Sequence, residues 1–293
     1  MSVGFFQAEG GPDTETLSPE PRALSQWRGG AQLRGMAVSG ALARAAERLV
    51  NQTECTADLR PVRWTLDLCR PASSAPCTAL ANVVRRGRRL CLVDAFLFQD
   101  DLMVARASAL FLAVGGSARG NVWSPATTLS APPSNLRPST TEPRLYFSQG
   151  IGWTGTPAPH QTSGRKMTWH FPSQVVRGER ATPFQQAAMV ADVVNVVSNW
   201  GDGGLEFINA DVTLALARLP ADDQELGLAA EQRVEADGVA VGSATVFDRI
   251  GVLGTATVTG LVSASNVADP RLLGLDSRQM PCAGQPSTGR LQQ

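Results

Sequence analysis

The chain states one pattern twice, about 148 residues apart. Trp64-Thr65-Leu66-Asp67-Leu68-Cys69-Arg70-Pro71 returns as Val212-Thr213-Leu214-Ala215-Leu216-Ala217-Arg218-Leu219-Pro220. Met103-Val104-Ala105-Arg106-Ala107-Ser108-Ala109 returns as Val252-Leu253-Gly254-Thr255-Ala256-Thr257-Val258. The same kinds of segment lie between these anchors in the same order. A fixed offset of half the chain means two copies of one supersecondary unit, which constrains fold and site more than any short motif does. At 293 residues, each copy is long enough to build its own core.

Composition narrows the function classes. Lys and Arg number 26, as do Asp and Glu, so the net charge is zero. No global field draws the chain toward nucleic acid or an acidic membrane. Lys166 is the only lysine, a bias read here as that of a GC-rich genome. The five cysteines are spread out, odd in number and never in C-x-x-C pairs, and there are two histidines. This usage speaks against structural zinc and for free thiols in a reducing cytosol. The first residues lack a basic segment and a long apolar core, so no secretory signal is read there. No apolar run is long enough to cross a bilayer. A cytoplasmic protein is expected.

The pattern divides the chain into five stretches. Residues 1–20, polar and rich in Gly, Pro and Glu, read as a flexible arm. Residues 21–115 form the first unit. It has a helix over roughly 37–50, with Leu42, Ala45, Ala46 and Leu49 on one face and Arg44, Glu47 and Arg48 on the other. Strands follow at 61–70, 79–86, 89–98 and 103–114. Residues 116–165, rich in Ser, Thr, Pro and Gly, read as a linker with short ordered pieces at 145–147 and 167–171. Residues 166–262 form the second unit. Thr182-Pro183-Phe184-Gln185 is a capping box with Pro at the first helical position. The helix it opens is apolar nearly all round and runs to about Asn199. Strands follow at 205–218, 225–235, 239–247 and 252–262. Arg85-Arg86-Gly87-Arg88-Arg89 and Asp237-Gly238 fall at equivalent hairpin turns. Residues 263–293 read as a polar tail. A buried helix against an antiparallel sheet, duplicated, is an α+β architecture in which the sheet wraps the helix.

The wording of the second copy carries a resemblance. Ala191-Asp192-Val193-Val194-Asn195 lies on the second helix, and Phe207-Ile208-Asn209-Ala210-Asp211 runs into Leu216-Ala217-Arg218-Leu219-Pro220. With Asp237-Gly238-Val239 and the closing Gly251-Val252-Leu253-Gly254-Thr255-Ala256, these resemble the type II acyl-CoA thioesterases and their actinobacterial thioesterase-like relatives. The likeness covers roughly residues 25–115 and 167–262. It implies a double hotdog, two tandem units in one chain. It also implies an acyl-CoA substrate, no cofactor beyond the coenzyme A of substrate and product, no nucleic-acid partner, and a tendency to form homo-oligomers.

Asp192 is the sharpest position, an acid inside an apolar helix. Burial disfavours its charge, so it needs donors or stays protonated. It is either a base acting on water or a structural carboxylate held by backbone or by Asn195. The resemblance places the family's catalytic acid at Asp192, with Asn209 where a small polar residue, often Thr, helps hold the water. The third member of the family's set is a Gln on the last strand. Here Val258 or Thr259 takes that place, depending on a one-residue shift, and only Thr259 offers a donor in its side chain. The loop before the first helix, Leu33-Arg34-Gly35-Met36, should wall the site where the copies meet, with Arg34, Gly35 and Met36 as substrate-binding candidates. In the first copy Arg44 stands where Asp192 stands, which predicts one site per chain.

Other features carry less. Arg85, Arg86, Arg88 and Arg89 suit a solvated hairpin tip better than a grip on coenzyme A phosphates. Gly150-Ile151-Gly152-Trp153-Thr154-Gly155 matches G-x-G-x-x-G without the strand and helix that a dinucleotide site needs. No G-x-S-x-G occurs. The expected activity is acyl-CoA thioester hydrolysis by water held at Asp192 and Asn209. The alternative is a non-catalytic acyl-CoA or acyl-chain binding protein.

Overall fold

The computed structural model describes residues 4–11, 14–25, 32–52, 58–117, 119–123, 129–139, 142–221 and 225–263. Its strands are β1 (Gly4–Glu9), β2 (Thr16–Pro19), β3 (Leu59–Asp67), β4 (Thr78–Arg86), β5 (Leu90–Gln99) and β6 (Leu102–Ala113). They continue with β7 (Arg144–Ser148), β8 (Gly152–Thr154), β9 (Lys166–His170), β10 (Gln174–Val176), β11 (Phe207–Asn209) and β12 (Asp211–Leu216). The last are β13 (Leu226–Ala236), β14 (Val239–Phe247) and β15 (Val252–Val262). The helices are α1 (Gly35–Gln52), α2 (Pro183–Ala191) and α3 (Val194–Asn199).

Alternation builds the sheet. In β5, Cys91, Val93, Ala95 and Leu97 are buried and the residues between them are not, the period-2 pattern of a sheet with one face on a core. Twelve strands form one sheet in the order β8, β7, β9, β13, β14, β15, β12, β3, β6, β5, β4, with β11 also paired to β15. The duplication is visible in this order, because β12, β15, β14 and β13 repeat the succession β3, β6, β5 and β4. The copies join through β3 and β12, antiparallel, with Thr65 opposite Thr213. Each of these is the other's counterpart at the repeat offset, so the pseudo-two-fold axis passes through that pair. Asp100 and Asp101 (φ 47° and 61°) and Asp237 and Gly238 (φ 50° and 79°) make hairpin turns with φ positive at both central residues.

α1 and α2 lie side by side and antiparallel, packed against the sheet. Ser39 Oγ donates to the Ala188 carbonyl at 2.7 Å and accepts from Trp64 Nε1 at 3.0 Å. A Cβ at Gly40 would come within 2.8 Å of Met189 Cγ, so glycine sets the helix separation. Ser39→Ala leaves a buried indole N–H and a carbonyl without their partner, at a cost of about 1–3 kcal/mol. A lowered denaturation midpoint is expected, and an unchanged one would contradict it. The capping box at Thr182 forms as read, with Thr182 Oγ1 accepting from Gln185 N at 3.1 Å.

Four expectations need correction. The residues read as a flexible arm include β1 and β2, and Phe5, Phe6 and Leu17 are buried. The cause is that adjacent Phe side chains supply apolar area to bury, and β1 pairs with β10, Phe6 opposite Val176. The stretch read as a linker contributes β7 and β8, which extend the sheet past β9. Its G-x-G-x-x-G sequence is part of the β7–β8 hairpin, with Gly150 and Gly152 at φ 86° and 84°. The expected strand 205–218 is broken at Glu206 and Ala210, leaving β11 and β12 in the main sheet and Leu205 in a separate two-residue strand, Gly204–Leu205. The second helix is not continuous. It breaks at Asp192-Val193, where Val193 N bonds to Val190 O, three residues back. The valines at 193, 194, 196 and 197 have low helix propensity and hold α3 by burial instead. The tail beyond Ser263 lies outside the described residues, as do Cys55 and Cys282, while Cys69 and Cys77 are free thiols.

Candidate functional site

Asp192 sits in the break between α2 and α3, and its carboxylate rests on the first turn of α1, which belongs to the other copy. A Cβ at Gly35 would lie 2.0 Å from Asp192 Oδ1, so the first helical residue must lack a side chain for the carboxylate to reach the helix. The Met36 backbone N–H bonds to the carboxylate, and the α1 dipole favours negative charge at this end. Asn209 Nδ2 donates to Asp192 Oδ1 at 2.8 Å. Asn195 is not its partner. The Asn195 amide donates to the Phe207 carbonyl at 3.0 Å and accepts from Asn199 at 2.8 Å.

Burial dominates the electrostatics of this carboxyl. It keeps only a fraction of its surface open to the cavity, and desolvation pushes it up to about 6 against the opposing pull of Asn209, Arg144 and the Met36 N–H. A carboxyl that exchanges its proton near neutral pH is matched to general acid–base work.

Asp192 and Asn209 open on a cavity of about 310 Å³ where the two copies meet. Arg34, Gly35, Met36 and Val38 line it from α1 and the turn before it. Leu68–Ala72, in the loop after β3, and Val104 on β6 line it from the first copy, and Val193, Val196, Leu205 and Phe207 from the second copy. The Arg34 guanidinium is held at the margin, donating from Nε to the Leu24 carbonyl at 2.8 Å and pairing with Glu142.

Neither Thr259 nor Val258 lines the cavity. Strand alternation turns Val258 toward α3. Val258 is buried, and it is opposite Gly242, where a Cβ would come 2.4 Å from Ser198 Cβ on α3. Thr259 acts through its backbone. Its N–H donates to Asp211 Oδ1 at 2.6 Å and its carbonyl accepts from Ala210 N at 2.9 Å. These bonds fix the segment that carries Asn209.

Arg144 was missed by the sequence reading. It is buried, enters from β7 and lines the cavity, and its Nη2 contacts Met36 Sδ at 3.3 Å. Nothing in its Pro- and Ser-rich surroundings marks it as a site residue.

The pseudo-two-fold axis generates a second place of the same kind, at the start of α2, and its chemistry differs. Pro183 stands in the position of Gly35 and Arg44 in that of Asp192. The buried Arg44 guanidinium donates to Glu15 at 2.6 Å and to Glu179 at 2.7 Å. A cation at a helix N-terminus opposes the dipole, and the two carboxylates offset it. Glu15 precedes β2, so the ordered N-terminal segment helps close this half.

Comparison with known proteins bears on the whole chain. Residues 24–112 match the acyl-CoA thioesterase N-terminal domain, and residues 123–262 match the acyl-CoA thioesterase C-terminal domain. No curated protein matches the sequence. Among solved structures, a tesB protein from Mycobacterium avium subspecies paratuberculosis superposes with a TM-score of 0.63 at 17% identity, over 88% of this chain and 96% of the other. The acyl-CoA thioesterase II TesB2 from Mycobacterium marinum gives 0.61 at 14% identity, with coverage of 88% and 96%. A conserved protein with a hot dog fold from Alicyclobacillus acidocaldarius gives 0.61 at 15%, again over 88% and 96%. At these identities the likeness is one of fold, and the fold is the hotdog.

Proposed function

We propose, for a chain that belongs to the acyl-CoA thioesterase family in both of its halves, hydrolysis of a fatty acyl-CoA thioester by water held at Asp192 and Asn209. The observation that carries this reading is the Asp192 carboxylate, bonded to Asn209 and to the first turn of α1 and opening on the cavity between the copies. The ionised carboxylate accepts a proton from the water as the water oxygen bonds to the thioester carbonyl carbon. When the tetrahedral intermediate collapses, the carbon–sulfur bond breaks, and the coenzyme A thiolate leaves and takes up that proton. The acid and free coenzyme A are the products. The reaction as proposed needs only thioester and water, so it calls on no metal or redox group. No described helix is long and apolar enough to cross a membrane, and the proposed substrate is taken from solution.

Thiol release measured across acyl chain lengths tests this. Asn209→Ala removes one of the groups that fix Asp192, and a fall in kcat on the order of ten- to a hundredfold is expected. An unchanged kcat would remove Asn209 from the site.

The closing strand favours a second reading. Where the family has a glutamine donor, neither Val258 nor Thr259 lines the cavity, which suits a protein that binds acyl-CoA without turning it over. Saturable acyl-CoA binding with no thiol release at any chain length would establish that reading over the first.

A further inference from the structure

We infer that Arg144 is the anion-binding donor of the cavity, taking the oxygen charge that develops on the thioester carbonyl and holding the carboxylate of the released acid. The first half of this rests on the hydrolysis proposed above. The second half, carboxylate binding, rests on the cavity alone.

Two donors beside Asp192 are already engaged. The Met36 N–H at the start of α1, a natural place for an oxyanion, is bonded to Asp192. Asn209 Nδ2 donates to the same carboxylate. The closing strand presents Val258 to the helices, with no polar atom in its side chain.

Arg144 is in the opposite condition. A guanidinium carries five N–H donors, and buried ones are ordinarily satisfied. Arg144 is 4% exposed, yet its side chain bonds to the Met36 thioether, a weak acceptor, and to Tyr146, over whose ring it lies, and its Nε has no partner. It lines the cavity together with Asp192, and Met36 touches both, through its N–H and its sulfur.

The surrounding groups place positive charge beside the cavity. Arg22, Arg34 and Arg144 act together on one carboxylate, Glu142, and outweigh the effect of its burial to hold it below the usual range. His170 nearby is held neutral, because burial and Arg144 both depress its pKa, and Tyr146 is pushed up to about 12 by burial. Among the described residues, Arg144 is the cation that acts on both Asp192 and Glu142. A carboxylate delivered by a ligand pairs with Arg144, and paired guanidinium–carboxylate bonds are among the strongest that proteins form.

The test uses octanoate and octan-1-ol as probes, titrated calorimetrically into the full chain at pH 7.5. Arg144→Met should weaken octanoate binding tenfold or more and leave octanol binding within about threefold, which also reports that the cavity is intact. Asp192→Asn removes the neighbouring negative charge and should tighten octanoate binding severalfold. Equal octanoate affinity in Arg144→Met and wild type, or an equal loss of both probes, would overturn the inference. If Arg144→Met does not fold, the Asp192→Asn titration decides: tightening supports the site and unchanged affinity overturns it. In thiol release, Arg144→Met should lower kcat on the order of a hundredfold with little change in KM, and wild-type turnover would overturn the oxyanion role. A wild type that releases no thiol but shows the octanoate pattern overturns hydrolysis and the oxyanion role while leaving the carboxylate site standing.

Discussion

Asp192→Asn should lose thioesterase turnover by a factor on the order of a thousand and gain stability in the same experiment. The loss follows from removing the proton acceptor, since a positioned general base contributes about a hundred- to ten-thousandfold. The gain follows from linkage. The folded carboxyl titrates at about 6 because burial disfavours its charge, whereas an unfolded aspartate titrates near 3.9. Between those values the folded state binds more protons than the unfolded state, so stability falls as pH rises through that window. Above pH 6 the cost is complete, on the order of 2–3 kcal/mol. Asparagine escapes most of that cost but accepts less well from the Met36 N–H and Asn209, so a net gain of about 1–2 kcal/mol is expected at pH 7.5. The melting temperature should rise by a few degrees. At pH 4 the advantage should disappear, because the carboxyl is then protonated in the folded state. A variant that is less stable than wild type at pH 7.5 would show that the charged form of Asp192 holds the fold together, contrary to the reading of it as a strained functional acid.

Gly35→Ala should be nearly as damaging to turnover. On propensity alone, alanine in a helix improves on glycine by up to about 1 kcal/mol. Here the added Cβ would land 2.0 Å from Asp192 Oδ1 and 2.5 Å from its Cγ. The carboxylate must leave the start of α1, and its bonds to the Met36 N–H and to Asn209 go with it. A kcat reduced on the order of a hundredfold or more is expected, with the circular dichroism of the wild type retained. Turnover close to wild type would mean that the base operates from some other position. The second copy shows the same place adapted differently, with Pro183 closing the helix start and Arg44 tied to Glu15 and Glu179.

Much of this was legible in the residues. The repeat offset gave the pseudo-symmetry, and Thr65 opposite Thr213 is its direct structural expression. Hairpins with Asp237-Gly238 and the Thr182 capping box were readable because local backbone chemistry decides them. The acid at 192 stood out because its neighbours are apolar. What was not legible depended on long-range packing. Phe5 and Phe6 lie in a short polar stretch, and pairing with β2 and with β10, far along the chain, makes a strand of them. The break at Asp192 is invisible to periodicity, since the apolar spacing continues through it. Choosing between Val258 and Thr259 needed the strand register, to which a shift of one residue is decisive. Arg44 read as a solvent-facing charge because its partners, at 15 and 179, are distant in sequence. Arg144 was hidden for a similar reason, being recruited to the cavity by a strand that belongs to neither repeat.

The pH dependence of kcat/KM for thiol release from a medium-chain acyl-CoA tests the role of Asp192 most directly. The expected result is a rise with pH that levels off above an apparent pKa of about 6. That limb should be absent from the residual activity of Asp192→Asn. A rate that stays flat from pH 5 to 8 in the wild type, or a limb near pH 6 that survives in Asp192→Asn, would contradict it.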